Sequence, residues 1–194
     1  GKCGYNALLC HKACDNCCCI INLSKLYVNK FYGGIRMGLF GFGKKKEWDI
    51  AKSDENKKKM RELFNGVTKD GDLWKLIYGY ALNIKRSNYI IVKKTTYKYM
   101  SLIIGYRESD MSIAILQTTP EFDGCRDPEI YTNDNIKKAM IRQGWYMIYH
   151  KGGIFAGYTQ FAAPNECDEN YLAYIYQHDE ENDFNAFFKK FMNS

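Results

Sequence analysis

Residues 97–118 read YKYMSLIIGYRESDMSIAILQT and contain the clearest structural signal of the chain. Tyr97 to Tyr106 and Met111 to Thr118 are rich in β-branched and aromatic residues, the composition and alternation of β-strands. Between them, Glu108-Ser-Asp110 supplies the polar residues of a tight turn. Upstream, Tyr89 to Val92 has the same strand composition. The stretch therefore predicts an antiparallel hairpin.

A second hairpin is predicted nearer the C-terminus. Trp145 to His150 and Ile154 to Phe161 have strand composition, and Lys151-Gly152-Gly153 joins them with glycines that adopt positive φ at little cost. Tyr171 to Tyr176 is interpreted as a fifth strand. The two hairpins and this strand predict a mainly antiparallel sheet.

Four further segments have the spacing or caps of helices. Leu73, Leu76, Ile77, Tyr80 and Ile84 recur at helical intervals, as do Phe184, Phe187, Phe188 and Phe191, and we interpret both sets as buried stripes. Ser, Asp and Thr residues precede these segments as caps, and glycines end two of them. The predicted helices cover Ser53 to about Gly66, Asp72 to about Lys85, Thr132 to about Arg142, and a last segment capped by Asp179 or Asp183.

This order of elements predicts an α+β fold, with an antiparallel sheet of about five strands and helices packed mainly on one face. The chain of 194 residues is long enough for one domain with a real core. We divide it into a Cys-rich leader (1–36), a flexible N-terminal segment (37–52) and a single α+β domain (53–194).

The net charge of +6 is concentrated in the leader. Residues 1–36 hold five lysines and arginines against one aspartate, whereas residues 37–194 hold 23 basic and 21 acidic residues. This near balance argues against nucleic acid as the partner.

No run of about eighteen apolar residues could form a membrane span, and no export signal is recognisable. We therefore expect a cytoplasmic protein.

Six of the eight cysteines lie in the leader, which makes it a candidate metal site. Cys14-Asp-Asn-Cys17 is a CxxC pair, and with Cys10 and His11 it offers thiolate and imidazole ligands for zinc or an iron–sulfur cluster. The second ligand pair of a zinc ribbon does not follow. The CxxxCxxC spacing from Cys10 resembles that of radical-SAM enzymes, but Asn16 replaces their usual aromatic residue and repeating βα units are missing. We assign no family.

Two other interpretations of the leader stay open. A disulfide framework conflicts with the missing export signal and with three adjacent cysteines, Cys17 to Cys19. Alternatively, the leader is a translated upstream region. Gly33-Gly34 can be encoded by the ribosome-binding sequence GGAGG, only two residues before Met37, and Gly1 is typical of a scar from tag removal. We favour this last interpretation, with a low-GC bacterial gene that begins at Met37.

Outside the leader, the sequence predicts a non-enzymatic domain that binds a protein or a small ligand, without a cofactor. Tyrosine suits a contact surface because its ring is apolar and its hydroxyl is readily hydrogen-bonded. We expect the concave sheet face to carry the contacts. The candidate contact residues are Tyr97, Tyr99, Tyr106, Trp145, Tyr149, His150 and Tyr158.

The alternative enzyme is a small hydrolase that uses His150 as a general base with a loop cysteine or a carboxylate. Its candidate nucleophiles are Cys125 and Cys167, each with an acidic residue within two positions along the chain. Such a neighbour raises a thiol pKa and argues against an activated nucleophile. His178 precedes three acidic residues, a setting that a helix cap explains better than catalysis.

Overall fold

The computed structural model describes residues 20–21, 47–88, 93–152 and 157–194, with side chains described outside 20–21, 84–88 and 93–96. Two helices, α1 (Ile50–Val67) and α2 (His178–Phe191), accompany the strands, and a 3₁₀ turn covers Gly71–Leu73. The strands are β1 (Ile20–Ile21), β2 (Lys75–Asn88), β3 (Lys93–Arg107), β4 (Ser112–Thr118), β5 (Glu129–Tyr131), β6 (Ile136–Arg142), β7 (Trp145–His150), β8 (Tyr158–Phe161), β9 (Glu166–Cys167) and β10 (Ile175–Tyr176).

The strands form three antiparallel sheets. The central sheet has the order β2-β3-β4-β5, with β1 paired to β3. A second sheet has the order β6-β7-β8, and β9 pairs with β10. Tyr80 of β2 and Ala162, just after β8, exchange two backbone hydrogen bonds of 2.8 Å, which join the first two sheets. The predicted α+β class with mainly antiparallel sheets is confirmed.

The central sheet is buried on both faces. Leu76 and Tyr78 belong to a cluster that includes Phe64 of α1, here called the α1-side cluster. The residue between them, Ile77, belongs to the opposite α2-side cluster, which includes the phenylalanines of α2 and the inner face of the second sheet. The two helices thus cover opposite faces, and the expectation that helices pack mainly on one face is corrected. A sheet with apolar residues on both faces needs cover on both.

The predicted helix from Asp72 to Lys85 is wrong, because this segment is the 3₁₀ turn followed by strand β2. Ile77 pairs with Ile104 and Tyr78 with Ile103, one pair on each face of the sheet. A strand buried on both sides is apolar at nearly every position. Its apolar residues therefore also occur at the spacing expected of a helix.

The predicted helix from Thr132 to Arg142 is also wrong. Residues Ile136–Arg142 form β6, which pairs with β7. Gln143 and Gly144 connect the strands with φ of 53° and 79°, and Arg142 pairs with Trp145. Two positive φ values in a two-residue connection define a type I′ hairpin turn, so Gly144 reverses the chain between strands instead of ending a helix.

The other predicted elements are present with changed ends. Helix α1 begins three residues before Ser53, and the Asp49 carboxylate caps it by accepting a hydrogen bond from the Lys52 amide. The β3–β4 hairpin and helix α2 are confirmed, but α2 begins at His178 after the N-cap residue Gln177, so the predicted cap at Asp179 or Asp183 is wrong. Only Ile175–Tyr176 of the fifth predicted strand is paired. The second hairpin is confirmed as β7–β8, with β8 at Tyr158–Phe161, and residues 153–156 of this prediction lie outside the described residues. Tyr89 to Val92 lies outside the described residues.

Strands β2 and β3 extend well beyond β4. The last β3–β4 pair is Ser101 with Thr118, whereas β2–β3 pairing continues from Ala81–Met100 to Asn88–Lys93. Residues 81–88 and 93–100 therefore form a ribbon of β2 and β3 beyond β4, with β1 opposite Tyr97 and Lys98, here called the distal ribbon. At 3.4 Å per residue, it is about 27 Å long.

Candidate functional site

The structure distributes the seven predicted contact residues over several places. Tyr99 and Trp145 belong to one group of contacting rings, and Tyr97 lies two residues before Tyr99. Tyr149 and Tyr158 contact each other on the second sheet, with ring centroids 5.5 Å apart. Tyr106 is only 2% exposed and packs against Phe184 and Phe187, so its side chain belongs to the core.

Two of the predicted contact residues, Tyr99 and Trp145, belong to a row of four half-buried aromatic rings, here called the aromatic surface: Trp145, Tyr80, Tyr99 and Tyr171. Successive ring centroids in this row are 5.8, 6.0 and 4.6 Å apart. Their planes are inclined by 83°, 54° and 37°, the tilted and edge-on arrangements that aromatic pairs favour. The four rings thus form one continuous apolar surface.

Strand pairing and two loops bring these rings together. Tyr80 pairs with Ser101 and Leu82 with Tyr99, which places Tyr80 and Tyr99 on the same face of the ribbon base. Trp145 follows the β6–β7 turn directly, and Tyr171 lies between β9 and β10. Tyr80, Tyr99 and Tyr171 pack at the rim of the α1-side cluster, and their side chains are only partly buried.

Tyr99 and Trp145 are predicted contact residues, whereas Tyr80 and Tyr171 are not. The helical spacing places Tyr80 in the buried stripe of a helix, and that helix does not form. The sequence places Tyr171 on a strand, but nothing in the sequence indicates that this strand lies next to the distal ribbon. A strand assignment for β2 places Tyr80 on one face with Tyr78, but only the fold brings residues 80, 99, 145 and 171 together.

Burial raises the pKa of Tyr171 well above its ordinary value, with smaller contributions from Tyr99 and Glu169. Burial raises the pKa of Tyr80 for the same reason. Both phenols are therefore protonated at neutral pH. The rings contact one another, so they leave no space between them for a small cation, unlike an aromatic cage. The aromatic surface is suited to contact with another surface.

His150 belongs to a separate polar network. Its Nε2 atom lies 2.9 Å from Thr159 Oγ1, which lies 2.7 Å from Tyr131 Oη. Tyr131 Oη donates to the Glu129 carboxylate, and the rings of His150 and Tyr131 stack at 5.6 Å. Burial, and next the hydrogen bond to Glu129, raise the pKa of Tyr131 above its ordinary value.

The direction of these hydrogen bonds follows from the proton count. Tyr131 has one hydroxyl proton and donates it to Glu129, so Thr159 must donate to Tyr131. The single proton of Thr159 is then used, and His150 Nε2 must donate to Thr159. In this arrangement, His150 is a donor to the only hydroxyl in the network that could act as a nucleophile, not a base toward it.

The two cysteines considered as nucleophiles lie on the other side of the central sheet. Cys167 is a buried member of the α1-side cluster, and Cys125 packs against it. His150 stacks on Tyr131, which belongs to the α2-side cluster. The fold therefore does not bring the predicted Cys–His pair together.

A cleft of about 360 Å³ lies between α1, β2 and the start of α2. Its charged walls are largely paired internally, because Lys57 contacts Glu180 and Lys75 lies 3.7 Å from Asp183. Within the described ranges, no three His, Cys, Asp or Glu side chains are placed to hold a metal ion. The predicted metal ligands Cys10, His11, Cys14 and Cys17 lie outside the described residues.

Neither helix in the described part of the chain has the length and apolar character needed to cross a membrane. Comparisons of the sequence and the structure with protein-family models, curated proteins and solved structures find no match.

Proposed function

We propose that this protein is a non-enzymatic binding domain and that the aromatic surface contacts a protein partner. The observation that carries the proposal is the continuous row of four half-buried rings, Trp145, Tyr80, Tyr99 and Tyr171. Tyrosine and tryptophan are enriched in protein interfaces because they supply a large contact area with few rotatable bonds. The hydroxyls of Tyr80 and Tyr171, whose pKa values are raised, add hydrogen-bond donors at the edge of the contact.

The geometry favours a protein partner over a small ligand. A small ligand is best held in a concave pocket that covers most of its surface, whereas the four rings touch one another and form a wall. Contiguous, partly exposed apolar surface of this kind is typical of protein contact sites. We also propose a cytoplasmic location and, from the abundance of Lys, Asn, Ile and Tyr, a low-GC bacterial source.

The hydrolase alternative is less well supported. Its base, His150, is the donor in the hydrogen bond between its Nε2 and Thr159 when Tyr131 donates to Glu129, and the two cysteines lie across the sheet. Zinc or iron–sulfur binding by the leader remains a separate hypothesis that concerns residues 1–36 alone.

Photo-crosslinking tests the proposal. Tyr99 is replaced by p-benzoylphenylalanine and, as a matched control, so is Tyr158, a tyrosine that is 53% exposed on the second sheet. We expect a partner to be crosslinked from position 99 and not from position 158. The identified partner is then purified, and its Kd is measured by calorimetry with the wild-type chain, Tyr99→Ser and Tyr158→Ser.

We expect Tyr99→Ser to weaken binding by about tenfold or more, the effect of a central aromatic contact. Tyr158→Ser should leave Kd unchanged. Equal affinity of the wild type and Tyr99→Ser for the purified partner would contradict the proposal, as would an equal loss in both variants.

A further inference from the structure

Next to the aromatic surface, β3 extends beyond the end of β4 and has an outer edge that β4 does not cover. β4 pairs with β3 only from Ser101 to Arg107, so residues 93–100 continue past it. Among the described residues, the partner along this stretch is the two-residue strand β1, with Ile20 opposite Lys98 and Ile21 opposite Tyr97. The edge of a strand presents backbone N–H and C=O groups that accept a further strand.

Strand β1 shows what this edge accepts. It is antiparallel, it consists of two β-branched apolar residues, and 75 residues separate it from Tyr97 along the chain. Pairing between segments so distant depends on backbone hydrogen bonds and side-chain fit, not on a connecting turn. An extended segment of another protein meets the same requirements.

The positive charge of the distal ribbon favours some extended segments over others as its partner. Residues 81–100 hold five basic residues and no acidic residue, whereas the rest of residues 37–194 holds 18 basic and 21 acidic residues. Like charges on neighbouring strands destabilise a pair. A second copy of this ribbon is therefore repelled, and an acidic strand is attracted.

We propose that the partner binds as an added antiparallel β-strand on the outer edge of β3, between Lys93 and Met100, and that this strand is acidic. The inference rests on the proposed function and gives the chemical class of the partner. Backbone hydrogen bonds to β3 supply the pairing, and Tyr97 and Tyr99, two residues apart on β3, contact alternate side chains of the added strand. Strand β1 occupies the same edge and competes with the partner.

The test uses the full chain and a fluorescein-labelled octapeptide of alternating glutamate and valine, with binding followed by fluorescence anisotropy. We expect saturable binding, weakened about tenfold by Lys98→Glu because of lost complementarity. The matched control is Lys137→Glu, a charge reversal at an exposed lysine of β6, which should bind like the wild type. An octapeptide of alternating lysine and valine should not bind.

Two further measurements are specific to strand addition. An edge strand uses the backbone groups of alternate residues, so N-methylation of one alternate set of peptide amides should abolish binding while the other set is tolerated. Replacing both residues of β1 (Ile20→Pro with Ile21→Pro) should tighten peptide binding about fivefold by removing the competing strand.

Three outcomes would overturn the inference: no peptide binding at 1 mM, equal effects of the two N-methylated sets, or equal effects of Lys98→Glu and Lys137→Glu. Tighter binding of a labelled dT20 oligonucleotide than of the acidic peptide, lost in Lys98→Glu, would also overturn it in favour of a nucleic-acid ligand. The crosslinking experiment at Tyr99 is independent of these results. A partner that depends on Tyr99 but not on Lys98 would leave the proposed function intact and refute strand addition.

Discussion

The central sheet has aromatic residues on both faces, and the two groups differ in exposure. On the α2 side, Phe184, Phe187, Phe188 and Phe191 are at most 1% exposed. On the α1 side, the rings of the aromatic surface are half-buried. Phenylalanine has no polar atom to keep in water, whereas tyrosine and tryptophan each have one. The α2 phenylalanines are thus wholly within the core, whereas the rings of the aromatic surface stay in contact with solvent, as the proposed binding role requires.

The largest effect is expected at the buried group. Phe188→Ala should lower the free energy of unfolding by about 3–5 kcal/mol, because it removes a fully buried ring and leaves a cavity. Urea denaturation followed by circular dichroism measures the change. Phe188→Leu is the control and should cost less than about 1.5 kcal/mol. A loss below about 1 kcal/mol for Phe188→Ala would contradict its role in the core.

The stability of the fold should depend on alkaline pH, because its buried tyrosines ionise less readily than an ordinary phenol. Burial raises the pKa of Tyr106 and of Tyr146 above their ordinary value of 10. The folded state then favours the neutral phenol, so its contribution to stability is complete below pH 10 and is lost as the pH rises further. Each such group changes the free energy of unfolding by up to about 1.4 kcal/mol per pH unit.

Urea denaturation at pH 9, 10 and 11 measures this dependence. The double variant Tyr106→Phe with Tyr146→Phe should lose less stability between pH 10 and 11 than the wild type, since phenylalanine does not titrate. Tyr158→Phe, at an exposed position, serves as the control and should follow the wild type. An unchanged slope in the double variant would show that these two tyrosines do not control alkaline unfolding.

The smallest effect is expected at the aromatic surface. Tyr99→Ser removes a half-buried ring that solvent already reaches, and it should lower the free energy of unfolding by about 1 kcal/mol or less. The same urea experiment measures it beside Phe188→Ala. If Tyr99→Ser destabilises the chain as much as Phe188→Ala, the aromatic surface is part of the core and the contrast between the two faces disappears.

The sequence predicted some elements of these clusters better than others. The α2 phenylalanines recur at positions i, i+3, i+4 and i+7, a pattern with one helical interpretation, and the helix is present. In β2, apolar residues serve two clusters at once, so helical and strand periodicities fit equally well and the prediction of a helix was wrong. After β6, the hairpin turn depends on a positive φ at Gln143. The sequence does not reveal this angle, so a helix was predicted instead.

The candidate site was predicted only in part, because residue type does not determine which side chains the fold covers. Tyr99 and Trp145 lie on predicted strands, and their residue type alone marks them as contact residues. Tyr106 has the same type and the same strand as Tyr99, yet it lies in the core, because α2 covers its face of β3. Residue type does not indicate which face of a sheet is covered.

The sequence by itself determined the α+β class, the β3–β4 hairpin and the buried stripe of α2, because each depends on a periodicity or a turn within one short segment. Only the tertiary structure decided that the helices cover opposite faces, that His150 lies across the sheet from both cysteines, and that four distant rings form the aromatic surface. These features depend on contacts between residues far apart in the chain. Burial of the whole core selects such contacts, and local patterns do not encode them.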